Sequence, residues 1–152
     1  MLQEMPVMSS GGGGISGPLV GQVPVMTSDT SPSGTCTATQ DNANAYKAFD
    51  GDYTTYWTGG QNNFPLYIGY GFGSAKTIKA VNVHTPAYGI TYDIVGKNDG
   101  GSWTSIVSNI QQDASTELMI FLNGSPSYSW YGLKLTASTN NWGTIHEIQF
   151  FE

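Results

Sequence analysis

Short apolar runs separated by turn residues fill the chain from about residue 35 onward. No long segment repeats its apolar residues with a helical period. Many short apolar runs bounded by Gly, Asn and Asp predict an all-β sandwich or barrel. The predicted strands are 66–70, 77–84, 92–97, 103–107, 117–122, 128–136 and 144–151, with turns at 98–101 (NDGG) and 123–124 (NG).

The last predicted strand indicates which of its side chains face inward. Ile148 and Phe150 share one face, and Glu147, Gln149 and Phe151 share the other, because successive residues of a strand point to opposite sides. Glu147 therefore need not enter the core. We predict that it approaches the loop at residue 50 if the first and last strands are neighbours.

Length and composition predict one domain with an N-terminal arm. The chain has 152 residues, of which 20 are glycine and only 11% are charged, and this favours strands and turns over solvated helices. Residues 1–35 are rich in Gly, Ser, Pro, Val and Met and cannot build a core alone. We therefore assign 1–35 to a docking arm and 36–152 to the folded domain.

The arm contains a repeated segment. Residues 5–10 (MPVMSS) recur almost unchanged as residues 23–28 (VPVMTS), which indicates two extended segments with equivalent docking roles. We expect another subunit or partner to order this arm, giving a homo-oligomer or a larger assembly. A flexible linker is the alternative.

Charge and cysteine content exclude several classes of partner. The net charge is −6 with five basic residues, all of them lysine, so a nucleic-acid footprint is missing. No apolar run reaches the roughly eighteen residues of a membrane span, and no secretory signal opens the chain. Cys36 stands alone with no neighbouring base, which indicates a structural thiol.

A polar loop between Phe49 and Trp57 is the strongest candidate for an ion site. Asp50 and Asp52 supply carboxylates, Gly51 permits a sharp turn, and Thr55 adds a hydroxyl. An EF-hand is excluded, since Thr55 stands where that loop needs glycine and no helices flank it. Two interpretations remain open from the residues alone: a calcium loop and an ion-free Asp-Gly turn.

Three segments in order carry a family resemblance. Residues 48–57 (AFDGDYTTYW), 92–106 (YDIVGKNDGGSWTSI) and 131–135 with 145–150 (YGLKL and IHEIQF) resemble the discoidin, or coagulation-factor C-type, domains. The resemblance covers about residues 36–152. It implies a galactose-binding-like jelly-roll β-sandwich, the fold shared with many bacterial carbohydrate-binding modules.

The resemblance also implies a structural calcium ion. In that family the first motif and a glutamate near the end commonly hold the ion. The matching positions here are the side chains of Asp50 and Glu147, the hydroxyl and carbonyl of Thr55, and the backbone oxygens of Lys47, Asp52 and His146.

Ligand recognition in such modules lies on loops at one end of the sandwich, where an aromatic ring packs on a sugar. Trp142 is the first candidate, and an interior position between the sheets is the alternative for it. The other candidates are Asn140, Asn141, Tyr88, Thr58 and Asn62. Many galactose binders of the family have histidine where this chain has Thr58, so galactose is not the expected sugar. Trp57 and Trp103 match core positions of the family.

The sequence predicts a binding protein rather than an enzyme. No Ser-His-Asp order, HExxH motif or phosphate loop occurs. We expect a noncatalytic, lectin-like module for adhesion to cell-surface glycans. By analogy with small phage proteins, it would be displayed on a virion for host attachment and anchored by its arm, at a virion surface or outside cells. The alternative is a structural or decoration subunit with no sugar ligand.

Overall fold

The computed structural model describes residues 18–152, which form strands and one 3-10 helix. The helix is Asn42–Ala48. The strands are β1 Thr35–Ala38, β2 Trp57–Gln61, β3 Leu66–Thr77, β4 Ala80–His84, β5 Ile90–Lys97, β6 Thr104–Gln112, β7 Glu117–Phe121, β8 Ser127–Ser138, β9 Trp142–Ile145 and β10 Glu147–Phe151. Within this part of the chain, no helix is long and apolar enough to cross a membrane.

The strands form two facing sheets and a two-stranded ribbon. The larger sheet has the order β1-β3-β8-β5-β6, the smaller β10-β4-β7, and β2 pairs with β9. All of these pairs are antiparallel. The predicted all-β, galactose-binding-like jelly-roll sandwich is confirmed.

Alternation along the strands places the core between the sheets. Ile68, Ile94 and Leu133 point inward from the larger sheet and meet Val83 and Phe150 of the smaller one, and all five are fully buried. Each such side chain contributes roughly 1.5–3 kcal/mol relative to an exposed position. This packed core fixes the loops at both ends of the sandwich.

Residues 18–35 lie against the chain's own sandwich. The backbone N–H of Gln22 donates to the Phe150 carbonyl at 2.8 Å, and that of Met26 to the Phe49 carbonyl at 3.1 Å. Val23 and Met26 are buried in the main core cluster. From residue 18 onward, the segment predicted to dock on a partner therefore packs within the domain. Residues 1–17, including the first copy of the repeat, lie outside the described residues.

Trp57 and Trp103 are both predicted to fill the core, but only Trp57 does so. Trp57 is fully buried, and its indole N–H donates to the Gln40 carbonyl at 2.9 Å. Trp103 instead lies half-buried on the outer face of the larger sheet, stacked on Tyr67 with ring centroids 6.1 Å apart. Gly69 makes room for it, since a side chain there would come within 2.8 Å of the indole.

Candidate functional site

The ribbon of β2 and β9 presents Trp142 at the surface. Gly143 and Ile145 face inward, because Ile145 is fully buried and a methyl group on Gly143 would lie 2.2 Å from a Leu66 methyl. Trp142 and Thr144 lie on the opposite side of the ribbon, where Trp142 is exposed and Thr144 is buried. With 42% of its surface exposed, Trp142 is not a plug between the sheets.

The predicted asparagines shape the turns beside Trp142. Asn62 and Asn141 adopt positive φ angles of 58° and 66°, a conformation that asparagine tolerates better than most residues. The backbone N–H of Asn62 donates to the Asn141 carbonyl at 2.8 Å and joins the two turns. Asn140 accepts the backbone N–H of Trp142 on its side-chain oxygen at 3.0 Å. These bonds fix the backbone that carries the indole.

The loop that carries Tyr88 packs beside the same ribbon. Gly89 and Thr139 exchange hydrogen bonds of 3.2 and 3.1 Å, which bring Tyr88 next to the hydroxyl of Thr144. Burial raises the pKa of Tyr88, and the Thr144 hydroxyl opposes this rise, while the nearby Tyr56 phenol adds to it. Tyr56 itself is 51% exposed. We call the resulting surface the ribbon face: Tyr56, Thr58, Tyr88 and Trp142, with Thr144 buried beside Tyr88.

Thr58 has a positioning role within the ribbon face. Its hydroxyl donates to the Gly143 carbonyl at 3.1 Å and accepts from the Thr144 hydroxyl at 3.0 Å and from the Gly60 N–H at 3.2 Å. Its hydrogen-bonding capacity is thus used inside the protein. Sequence reasoning missed Tyr56 as a member of this surface and Thr144 as a buried residue that supports it. The available signals were that Thr144 shares a strand face with Trp142 and that Tyr56 lies next to Trp57.

The structure brings Glu147 to the Asp50 loop, as the sequence predicts, but not through neighbouring first and last strands, because β1 and β10 lie in different sheets. The Gly51 N–H donates to Glu147 Oε1 at 3.2 Å. Within the loop, Asp50 accepts from the Asp52 N–H at 3.0 Å and from the Thr55 hydroxyl at 2.6 Å. Side-chain and backbone oxygens therefore converge between the helix and β2.

The Glu147 carboxylate fits a cation, because it is buried without full compensation. Only 7% of Glu147 is exposed, and its Oε2 has no hydrogen-bond partner. Burial raises the pKa of Glu147 to about 9; the Gly51 N–H opposes this, while Asp50 and Asp52 add to it. A bound cation would supply the missing positive charge.

The other predicted ion ligands lie in the loop, in the helix before it and next to Glu147 in the chain. The Asp52 carbonyl accepts from the Thr55 N–H at 3.2 Å and hydroxyl at 2.9 Å. His146 binds the Tyr53 carbonyl through Nδ1 at 2.8 Å, and Lys47 lies in the helix that leads into the loop. No three His, Cys, Asp or Glu side chains converge among residues 18–152. An ion here would depend on backbone carbonyls and Thr55 besides the carboxylates.

Comparison with protein-family models identifies this architecture. The F5/8 type C domain matches residues 30–148. The chain belongs to the F5/8 type C, or discoidin, family. The predicted resemblance is thereby confirmed. No curated protein matches the chain.

Solved structures of carbohydrate-binding modules share the fold of this discoidin domain. Chitosan-binding module 1 of a chitosanase/glucanase from Paenibacillus sp. IK-5 is 23% identical, with a TM-score of 0.69 over 82% of this chain and 98% of that one. The CBM32 of AlyQ, in complex with 4,5-unsaturated mannuronic acid, is 19% identical, with a TM-score of 0.67 over 78% and 94%. The family 32 module of C. perfringens NanJ, in complex with galactose, is 17% identical, with a TM-score of 0.67 over 83% and 98%. At these identities the similarity establishes the fold.

Proposed function

We propose that this discoidin domain is a noncatalytic carbohydrate-binding module whose ligand packs on Trp142. The exposed indole at the sandwich end is the observation that carries the proposal. Sugar rings have apolar C–H faces that pack on aromatic rings, while hydroxyl and amide groups select their polar edges. The ribbon face combines the aromatic side chains of Tyr56, Tyr88 and Trp142 and contains no carboxylate. This surface therefore offers aromatic rings for binding but no pair of carboxylates that could act as general acid and base.

A glycan array probed with full-length protein in calcium tests this proposal. We expect binding that falls at least about tenfold in Trp142→Ala, equivalent to roughly 1.4 kcal/mol. Trp142→Phe keeps an aromatic face and should retain part of the binding. Leu118→Ala changes an exposed apolar residue on β7 and should bind like the parent. Silence across the array from folded protein would overturn the proposal and favour a structural subunit without a sugar ligand.

We further propose that the Asp50 loop holds a structural calcium ion. Asp50 and Glu147 would supply carboxylates, and Thr55 with the carbonyls of Lys47, Asp52 and His146 would complete the set. The support is the unpartnered, buried Oε2 of Glu147 beside the Asp50 loop. The ion would neutralise this charge and fix the loop that carries Tyr53 and Tyr56.

Adhesion to cell-surface glycans is part of the same proposal. Single sugar sites bind weakly, so several linked copies raise avidity without new contacts. We propose that residues 1–17 anchor the domain in a homo-oligomer or a phage particle, exposing it at a virion surface or outside cells. Light scattering of the full chain, compared with residues 18–152, tests this; a monomer in both cases would contradict self-assembly.

A further inference from the structure

The outer face of the larger sheet carries two indole rings on a floor of glycines. Gly69 and Gly71 of β3 point outward, because Tyr70 between them faces the core. The indole of Trp103 lies over Gly69 and that of Trp130 over Gly71, where an added methyl group would come within 2.8 and 2.7 Å of the rings. The glycines thus let both rings lie close to the sheet.

Tyr67 and Lys97 extend this aromatic surface. The Tyr67 ring is nearly parallel to that of Trp103, with an interplanar angle of 15°. Lys97 of β5 pairs across the strands with Trp130, and its ammonium lies 5.1 Å from the Trp103 ring centroid and 5.2 Å from that of Trp130. All four side chains are partly exposed. We call Tyr67, Lys97, Trp103 and Trp130 the aromatic sheet face; it shares no residue with the ribbon face or the proposed calcium set.

The positive charge of Lys97 is not paired with a carboxylate. Between residues 18 and 152, the salt bridge joins Lys76 to Glu152, and Lys97 takes part in none. The two indoles attract the ammonium through their ring faces, but a ring face accepts no strong hydrogen bond. The charge and the N–H donors of Lys97 are therefore available to an anionic ligand.

The carboxylates beside this surface already have partners within the protein. Asp99 accepts the indole N–H of Trp130 at 2.6 Å. Asp93 accepts the Asn109 N–H at 2.8 Å and a serine hydroxyl of β6 at 2.9 Å. Lys134 follows Trp130 on the same face of β8 and adds a second positive charge without an ion pair. Protein donors thus occupy the carboxylates, whereas the two lysines have no counter-charge.

Aromatic rings beside an unpaired cation suit an acidic sugar. The C–H faces of a pyranose pack on such rings, and a carboxylate forms charge-assisted hydrogen bonds with an ammonium group. A neutral sugar would leave the Lys97 charge unused, and an acidic peptide lacks the flat C–H faces. We propose that the aromatic sheet face binds a glycan segment containing a hexuronic acid, with Lys97 on the carboxylate and Trp103 and Trp130 against the sugar rings. The inference stands without the ribbon face.

The test is an NMR titration of the ¹⁵N-labelled full-length protein with the trisaccharide of galacturonic acid and with its methyl ester. The indole N–H signals of Trp103 and Trp130 are expected to shift with the acid, while that of the buried Trp57 serves as a reference. The ester keeps the sugar rings without the charge and should bind at least about tenfold more weakly. Equal binding of acid and ester, or a response confined to Trp142, would overturn the proposal.

Substitutions of lysine test the role of the charge at this place. Lys97→Met keeps an unbranched side chain against the indoles and should weaken binding of the acid at least about tenfold. Lys97→Arg keeps the charge and should retain most of the binding. Lys79→Met removes an exposed lysine outside this surface and should bind like the parent. Parent-like binding by a folded Lys97→Met protein, or an equal loss in Lys79→Met, contradicts the proposed site.

Two further measurements separate this surface from the ribbon face and from a peptide site. Trp142→Ala should leave the response of Trp130 to the acid intact, and its loss would place uronate recognition on the ribbon face and refute the inference. A triglutamate peptide with blocked ends carries the same number of carboxylates without sugar rings and should bind more weakly. Binding of this peptide as tight as that of the trisaccharide would assign the surface to acidic peptides and overturn the glycan.

Discussion

Replacing Glu147 by glutamine is expected to stabilise the calcium-free protein at neutral pH. Burial raises the pKa of Glu147 to about 9 from its ordinary value of 4.5. An acid whose pKa is higher in the folded state binds more protons folded than unfolded. Its contribution to stability is therefore complete below pH 4.5 and is lost as the pH rises toward 9.

The expected gain in the free energy of unfolding follows from the pH range over which the Glu147 contribution is lost. Between pH 4.5 and pH 7, at about 1.4 kcal/mol per pH unit, the calcium-free protein loses about 3 kcal/mol. Glutamine cannot ionise, and its side-chain oxygen can still accept the Gly51 N–H. Its amide N–H₂ takes the place of the unpartnered Oε2 and costs roughly 1 kcal/mol. The net gain at pH 7 is about 2 kcal/mol, or roughly 4–8 °C in Tm for a domain of this size.

Urea unfolding of parent and Glu147→Gln in chelator measures this difference. The gain should disappear at pH 4, where the parent carboxyl is protonated in both states. Glu152→Gln changes an exposed carboxylate and should have little effect at either pH. In calcium the parent should be more stable than Glu147→Gln, because only the parent has the carboxylate that would bind the ion. A Gln variant that is less stable at pH 7 in chelator would refute the reasoning.

Three other changes test the loop, the thiol and the ribbon. Asp50→Ala removes the acceptor of the Thr55 hydroxyl and should lower the melting temperature. It should also abolish the rise in melting temperature with calcium, measured by scanning fluorimetry. An unchanged calcium response would contradict the ion loop. Burial raises the pKa of the Cys36 thiol to about 12, so a disulfide reagent at pH 8 should modify it only in urea, and rapid labelling of native protein would disagree. Gly143→Ala places a methyl group 2.2 Å from Leu66 and should lower the free energy of unfolding by roughly 1–3 kcal/mol, measured in urea. An unchanged unfolding midpoint would contradict the close packing of β9 on Leu66.

Hydrophobic alternation predicted the sandwich and the positions of most strands, but β3 extends to Thr77 instead of residue 70, and β6 extends to Gln112 instead of residue 107. It missed β1, which has four residues, and β2, whose two central glycines give no apolar pattern. The segment 144–151 was predicted as one strand but divides at His146 into parts of the ribbon and of the smaller sheet. The His146 N–H bonds to the His84 carbonyl at 3.1 Å, a tertiary contact that local sequence does not encode.

Some features of the candidate sites could be predicted from the sequence and others could not. The approach of Glu147 to the Asp50 loop could be predicted, because a strand alternates and the family places a glutamate there. The outer position of Trp103 could not, because it depends on a gap at Gly69 on another strand. The position of the segment 21–25 could not be predicted either, because it depends on Gln149, which binds Val23 across a separation of 126 positions.

The ribbon face and the Asp50 loop meet at His146. Its ring lies 5.5 Å from that of Tyr56, and its Nδ1 binds the Tyr53 carbonyl. Tyr56 belongs to the ribbon face, and both tyrosines belong to the loop that follows Asp50. The calcium ion proposed for this loop would therefore order part of the ribbon face. Thermodynamic linkage then requires that a sugar on the ribbon face tighten calcium binding by the same factor by which calcium tightens sugar binding.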